Sequence, residues 1–138
     1  RKQKDMQERV KKANEAGADI FISIHTNAEP GTSWCGAQTF YLAGDEKSKK
    51  LAASIQEELR KGLGNTRRKS AAGNYFILKK TNMPAVIVEA GFISNPAEAR
   101  KLQKPAYQSR IAYAIFMGTA RSLQADITDL NVKQPGKP

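Results

Sequence analysis

Apolar residues follow a helical spacing at the start of the chain and then form a short continuous run. Met6, Val10 and Ala13 predict a helix that begins near residue 3 and ends at Gly17. Residues 19–24 are almost continuous in β-branched and aromatic side chains, which is typical of a strand buried on both faces. Polar, Gly and Pro residues then predict a loop over 26–36, and a second strand follows over 37–42.

The middle of the chain predicts one helix and two more strands. An apolar stripe predicts a helix over about 47–61, which ends at Gly62 and Gly64. Residues 65–73 are polar and basic and predict an exposed loop, and residues 75–78 predict a short strand. The apolar run at 85–88, followed by Glu89, is the clearest strand pattern of the sequence.

The last third predicts two helices. Asn95 as the cap, Pro96 in the first turn and Glu98 three residues after the cap are typical of a helix start. A helix over about 105–123 buries an apolar face made of Ile111, Ala114, Ile115, Gly118 and Leu123. The chain is polar beyond this point, so we expect one domain over residues 1–123 and a polar tail over 124–138 that frays.

Helices that alternate with short apolar strands predict an α/β fold, with a mostly parallel sheet and helices on both faces. In such sheets, ligands bind beyond the carboxyl ends of the strands. His25 follows the predicted strand at 20–24, and Glu89 follows the one at 85–88. We therefore expect these two residues to lie close together, on parallel strands at one edge of the sheet.

Charge and composition restrict the kinds of partner and metal site that the chain can have. Lys and Arg number 23 against 13 Asp and Glu, a net charge of +10 that favours an anionic partner, either a nucleic acid or a negatively charged surface or polymer. The single cysteine, Cys35, excludes a disulfide within the chain, and the single histidine means that a metal site would need other ligands. No apolar run is long enough to predict a membrane span.

The two site candidates each have a structural alternative. A lone histidine is more often a packed or surface residue than a ligand, although the position of His25 before a Gly- and Pro-containing loop favours a site. Glu89 is either a structural carboxylate paired with Lys or Arg, or a general base beside a metal-bound water. The residues alone leave these two alternatives about even.

Two segments resemble a known family. The sequences ISIHTNA at 22–28 and VEAGFISN at 88–95 resemble the zinc-dependent N-acetylmuramoyl-L-alanine amidases, the cell-wall hydrolases of the Amidase_3 family. Arg9, Gly36 and Pro84 match the family at the same spacing, and the resemblance covers residues from about 5 to 123. Within the family, the chain is most similar to the germination-specific spore-cortex amidases.

The resemblance implies a zinc ion held by two histidines and one glutamate, with a second glutamate as the catalytic acid and base. His25 matches one zinc histidine, and Glu89 matches the catalytic glutamate. The other two ligands and the first strand of the family's sheet have no counterpart. Because the chain begins with Arg1 and not with methionine, we expect a truncated start, with the zinc site completed by an upstream segment or a protein partner.

The implied function is zinc-dependent hydrolysis of the amide bond between N-acetylmuramic acid and L-alanine in peptidoglycan. Such a hydrolase would be exported and act on the cell wall or the spore cortex, and the charge of +10 is compatible with an anionic wall. Two alternatives stay open. One is a wall-binding fragment without catalysis, and the other, supported only by scattered basic residues, is a nucleic-acid-binding module.

Three loop features have two interpretations each. Asn27 lines the site as a substrate-binding residue or simply opens a turn. Trp34 stacks on the substrate or anchors its loop in a partly buried position. The basic residues 67–69 form a solvated loop or bind substrate.

Overall fold

Four strands form the central sheet of this computed structural model, which describes the backbone of residues 2–132 and the side chains of residues 2–124. The elements are, in chain order, α1 (Lys2–Glu15), β1 (Phe21–Asn27), β2 (Gln38–Tyr41), α2 (Glu46–Leu63), β3 (Ala71–Ala72), α3 (Phe76–Lys80), β4 (Ala85–Phe92), α4 (Pro96–Leu102) and α5 (Pro105–Val132). No described helix is both long enough and apolar enough to cross a membrane.

The strands lie in the order β1-β4-β2-β3. β1 pairs parallel with β4, and β2 pairs parallel with β3, whereas β2 runs antiparallel to β4. The predicted α/β fold is confirmed. The sheet is mostly parallel but mixed, because the antiparallel pairing of β2 with β4 joins the two parallel pairs.

Helices cover both faces of this sheet, as the sequence predicts. On one face, α2 and α5 pack over a core that contains Leu59 and Val88. On the other face, α1 and α3 cover a smaller core that contains Ile77 and Ile87. Side chains alternate between faces along a strand, so Glu89 lies on the same face as Ile87, under α1 and α3. This alternation places Glu89 on the face of the sheet that carries the smaller core.

Local capping fixes the helix ends that the sequence predicts. The Asp45 carboxylate accepts a hydrogen bond from the backbone N–H of Ser48 at the start of α2. Gly64 ends α2 with a φ of 68°, a left-handed conformation that favours glycine. Asn95 caps α4 by accepting from the backbone N–H of Ala97.

Two predicted elements are wrong in type or extent. Residues 75–78, predicted as a strand, lead into and form part of the short helix α3, because Ile77 and Leu78 then both reach the core beneath it. Residues 65–73, predicted as an exposed loop, contain β3 and the buried Thr66. The hydroxyl of Thr66 donates to the carbonyl of Ala37 and holds this segment against the start of β2.

Burial also differs from the prediction at the edge of the sheet. The sequence predicts that the strand at residues 19–24 is covered on both faces, yet Ile24 is 56% exposed. β1 is one of the two edge strands, and no second strand among the described residues pairs with its outer side. Leu123, predicted as buried, is 43% exposed for a related reason, since it borders the same shallow apolar groove beside β1.

The end of the chain is helical further than expected. α5 continues from Pro105 to Val132, so residues 124–132 of the predicted polar tail are helical. The fraying predicted for the last residues concerns 133–138, which lie outside the described residues. A domain boundary at residue 123 therefore stays a prediction.

Glu98, in the first turn of α4, makes its side-chain contacts outside its own helix. Its side chain is buried and accepts hydrogen bonds from the backbone N–H groups of Gly36 and Phe92, not from its own cap residue. The carboxylate therefore joins the segment before β2 to the end of β4.

Candidate active site

A row of three polar residues crosses three neighbouring strands. His25 on β1 is in register with Glu89 on β4, and Glu89 is in register with Gln38 on β2. Residues opposite one another on paired strands share a face of the sheet. The prediction that His25 and Glu89 lie side by side on parallel strands is therefore confirmed.

Both residues lie inside their strands and not just beyond the strand ends. β1 continues to Asn27 and β4 to Phe92, past a bulge between His25 and Asn27. The backbone keeps its hydrogen bonds through the polar residues, up to the bond from the N–H of Ile93 to the carbonyl of Asn27. The sequence pattern predicts that each strand ends where its apolar run ends. The strands continue further because backbone hydrogen bonding between strands does not require apolar side chains.

The row opens into a pocket of about 520 Å³ between the sheet and the helices α1 and α3. Its lining combines the polar row with apolar side chains from both helices, and comprises Lys2, Gln3, Met6, His25, Thr26, Asn27, Tyr75, Phe76, Ile77, Ile87 and Glu89. A concave, largely apolar pocket with a few convergent polar groups is typical of an active site.

Glu89 has a carboxylate oxygen without a partner. Its Oε2 is buried and accepts no hydrogen bond from any described residue. Burial raises the pKa of Glu89, and no Lys or Arg among the described side chains forms an ion pair with it. The structural alternative of a buried salt bridge therefore loses its support, because Oε2 is removed from water and has no cationic partner.

His25 is held by a neighbour on its own strand. Its Nε2 lies 2.6 Å from the hydroxyl Oγ of the buried Ser23. Burial lowers the pKa of His25, and the positive charges of Arg9 and Lys2 lower it further. The imidazole is therefore biased towards its neutral form, which is the form that binds metal ions.

Asn27 borders the pocket, but its side-chain oxygen is used locally. The Oδ1 of Asn27 accepts a hydrogen bond of 2.8 Å from the backbone N–H of Ala28. This bond is typical of an asparagine that opens a turn. The amide Nδ2 and the second lone pair of Oδ1 remain for a substrate contact.

The described residues do not form a complete metal site. No group of three His, Cys, Asp or Glu side chains that could hold a metal occurs among the residues with described side chains. His25 could offer one nitrogen, whereas a catalytic zinc site uses three protein ligands. The donor set present here does not fit a complete site, so further ligands would have to come from outside the described residues.

Two residues of the site are not predicted by the sequence pattern. Tyr75 lines the pocket, and its ring packs edge-on against Phe40 with ring centroids 5.5 Å apart. Burial raises the pKa of Tyr75, and the negative charges of Glu89 and Glu29 raise it further. Gln38 was missed as well, because only the antiparallel direction of β2 brings its first residue beside Glu89.

Comparison with protein families gives one match over most of the chain. Residues 1–121 match the family Amidase_3, described as N-acetylmuramoyl-L-alanine amidase. The match includes all three strands that carry the polar row.

Individual relatives agree with this match. The chain is 42% identical over 122 residues to the germination-specific N-acetylmuramoyl-L-alanine amidase of Bacillus subtilis, covering 88% of this chain and 52% of that protein. It is 40% identical over 116 residues to the N-acetylmuramoyl-L-alanine amidase LytC of the same organism, covering 83% of this chain and 23% of that protein. The chain thus spans about half the length of the first relative and about a quarter of the second.

Solved structures show the same fold. The CwlD amidase from Clostridioides difficile, solved in complex with the GerS lipoprotein, superposes with a TM-score of 0.86 at 34% identity, covering 89% of this chain and 64% of that one. The catalytic domain of the amidase CwlV from Bacillus (Paenibacillus) polymyxa superposes with a TM-score of 0.80 at 32% identity, covering 86% of this chain and 65% of that one.

Proposed function

Because this chain belongs to the N-acetylmuramoyl-L-alanine amidase family, we propose that it carries the catalytic base of a peptidoglycan hydrolase. The reaction is hydrolysis of the amide bond between the lactyl group of N-acetylmuramic acid and L-alanine. The observation that carries the proposal is the unpartnered, buried Oε2 of Glu89, in register with His25 at the floor of a pocket of about 520 Å³.

Glu89 acts as general base and then as general acid. Its raised pKa brings the carboxylate closer to the working pH, where it can both accept a proton from water and return it. After water attacks the carbonyl carbon, the same carboxylic acid protonates the leaving amine of L-alanine. The proton acceptor is Oε2, which has no competing hydrogen bond within the described residues.

His25 is proposed as one zinc ligand. Ser23 fixes the ring through Nε2, which leaves Nδ1 as the nitrogen without a described partner. A zinc ion, when bound, makes water more acidic and polarises carbonyl groups. The remaining ligands are proposed to lie in parts of the whole protein beyond the residues described here.

The biological setting is proposed from the relatives. The net charge of +10 suits the anionic cell wall, and the relative from Bacillus subtilis with 42% identity is named for germination. These features support an exported enzyme that acts on the spore cortex. The CwlD complex with a lipoprotein supports a protein partner for the whole protein as well.

The test compares two variants of the full-length protein. Glu89→Gln should lower the rate of amide cleavage by on the order of 10²–10⁴-fold and keep its zinc, because Gln has a similar shape but cannot accept the proton. His25→Ala should lose both zinc and activity. The assay is the release of new amino termini from purified peptidoglycan, with zinc measured on each variant.

Glu29→Gln is the matched control. Glu29 is exposed and follows the end of β1, but it does not line the pocket, so its loss should leave the rate unchanged. If Glu89→Gln keeps the parent rate, Glu89 is not the base. If Glu89→Gln loses zinc, Glu89 is a zinc ligand. The catalytic base would then be the glutamate that the family resemblance assigns as the ligand.

A second candidate function is binding to the wall without cleavage. The absence of a three-ligand cluster among the described side chains favours it. A full-length protein that sediments with peptidoglycan, binds no zinc and releases no amino termini would establish this alternative.

A further inference from the structure

Arg68 packs beside two stacked aromatic rings close to the candidate active site. Its guanidinium carbon is 5.1 Å from the ring centroid of Phe92 and 5.8 Å from that of Trp34. The two rings stack on each other with centroids 6.2 Å apart. Trp34 is nevertheless 47% exposed, so it shields the cation on one side and stays open to a ligand.

The position of Arg68 is fixed by hydrogen bonds. Its Nε donates to the carbonyl of Cys35 over 2.8 Å, and its Nη1 donates to the Oε1 of Gln38 over 3.3 Å. A guanidinium has five N–H donors, so three remain, one on Nη1 and two on Nη2. This is the pair of nitrogens that binds a carboxylate with two parallel hydrogen bonds.

The charge of Arg68 has no carboxylate partner among the described side chains, although the residue is partly buried. Both of its described side-chain bonds go to neutral oxygens. A cation that is ordered, stacked and uncompensated is suited to an anionic ligand. A pocket of about 480 Å³, lined in part by Arg67, Arg68 and Asn65, lies beside it.

Gln38 connects this cation to the candidate base. Gln38 accepts the hydrogen bond from Arg68 and is in register with Glu89 on the neighbouring strand. A ligand group bound by Arg68 therefore lies one strand away from the carboxylate that would act on the scissile bond. Neighbouring strands lie about 4.8 Å apart, a spacing that two parts of one substrate molecule can span.

We propose that Trp34 and Arg68 form a subsite that binds a carboxylate of the stem peptide on the side of the substrate beyond L-alanine. The proposal rests on the proposed amidase function, because that function defines which polymer is present. Arg68 would bind the carboxylate, and Trp34 would cover the bound group and exclude water from the ion pair.

The test is a binding titration that uses the only tryptophan of the sequence, Trp34, as a fluorescent reporter. The ligands are N-acetylmuramoyl-L-alanyl-D-glutamate, its neutral diamide and N-acetylglucosamine, each added to dialysed, metal-free chain. We expect the acid to change Trp34 fluorescence saturably. The diamide should bind at least 10-fold more weakly, and N-acetylglucosamine should give no saturable change.

Substitutions then assign the binding to Arg68. Arg68→Gln should weaken binding of the acid at least 10-fold, and Arg68→Lys should lie between, because lysine keeps the charge but not the planar pair of donors. Lys49→Gln removes the same charge at the opposite end of the sheet and should change nothing. Circular dichroism of each variant separates lost binding from lost folding, and Arg68→Lys serves as the second test if Arg68→Gln unfolds.

Three results would overturn the subsite. Equal affinity for the acid and the diamide would exclude a carboxylate site, saturable binding of N-acetylglucosamine would make Trp34 a saccharide platform, and equal effects of Arg68→Gln and Lys49→Gln would indicate only general charge attraction. This titration requires no hydrolysis, so its outcome is independent of the Glu89→Gln activity test. The subsite can therefore be supported when the proposed catalytic role is refuted, and it can be refuted when that role is supported.

Discussion

The backbone N–H of Gly36 donates a hydrogen bond of 2.6 Å to the Oε1 of Glu98, although 62 residues separate them along the chain. The other oxygen of the same carboxylate accepts from the N–H of Phe92 over 2.7 Å. One buried side chain thus holds together the end of β4 and the segment that carries Trp34. Bonds from N–H groups to an ionised carboxylate are stronger than neutral ones.

Removing this carboxylate should destabilise the fold. Glu98→Ala leaves two buried N–H groups without a partner, and we expect it to lower the free energy of unfolding by about 2–4 kcal/mol. Glu98→Gln keeps one acceptor oxygen and should cost about half as much. Urea unfolding followed by circular dichroism measures both, and an alanine variant as stable as the parent would show that these bonds contribute little.

Stability should depend on pH through Glu89. Burial raises its pKa, so the folded chain binds this proton more tightly than the unfolded chain does. The stability that this proton contributes is complete at a pH below the unfolded pKa and is lost as the pH rises through the raised folded pKa. Glu89→Gln should therefore be more stable than the parent at pH 7, by on the order of 1 kcal/mol, and equally stable near pH 4.

Thermal or urea unfolding of metal-free protein at these two pH values measures this difference. Glu29→Gln, which removes an exposed carboxylate near the same edge of the sheet, should show no comparable gain. A Glu89→Gln variant that is less stable than the parent at pH 7 would contradict the idea that burying this charge is costly.

Two helical glycines should respond to alanine in opposite directions. A Cβ on Gly118 would lie 2.5 Å from the Cα of Ile55, so Gly118→Ala forces α5 away from α2 and should cost about 1–3 kcal/mol. A Cβ on Gly62 meets only the Cβ of Ala114 at 3.8 Å, so Gly62→Ala should stabilise by up to about 1 kcal/mol through helix propensity. Melting temperatures of the two variants give the answer, and a stabilising Gly118→Ala would show that the helices separate freely.

Zinc should bind only weakly to the chain as it stands. One histidine and scattered carboxylates fall short of the three ligands of a catalytic site. After dialysis we expect well under one zinc per chain by metal analysis, with no further loss in His25→Ala. Tight binding of one zinc per chain would mean that the chain itself completes the site.

Much of the fold follows from short-range pattern. The run before Glu89 predicts β4, because four consecutive apolar residues are typical of a buried strand. Asn95 predicts the start of α4, because asparagine is a favoured N-cap residue. Residues 75–78 show the limit of this reasoning, since a short apolar run suits a strand as well as one turn of helix. Only the packing of Ile77 and Leu78 against the sheet decides between them.

The site was predictable only where its residues lie in recognisable motifs. His25 and Glu89 follow apolar runs and belong to the two family-like segments, so the sequence predicts that they lie close together. Gln38 and Arg68 are 30 residues apart and carry no motif. The register of Gln38 with Glu89 depends on β2 running antiparallel to β4. Strand direction is a long-range property that local pattern does not contain.

The antiparallel direction of β2 has a consequence for how this fold can diversify. Because β1 and β2 run in opposite directions on either side of β4, the connection over residues 28–37 leaves and re-enters the sheet at one edge, beside the polar row. Lengthening such a loop costs little, roughly 0.6 kcal/mol for each doubling. Insertions there would reshape the rim of the pocket while the strand register and the polar row stay in place, so new specificities can evolve in this segment without refolding the rest.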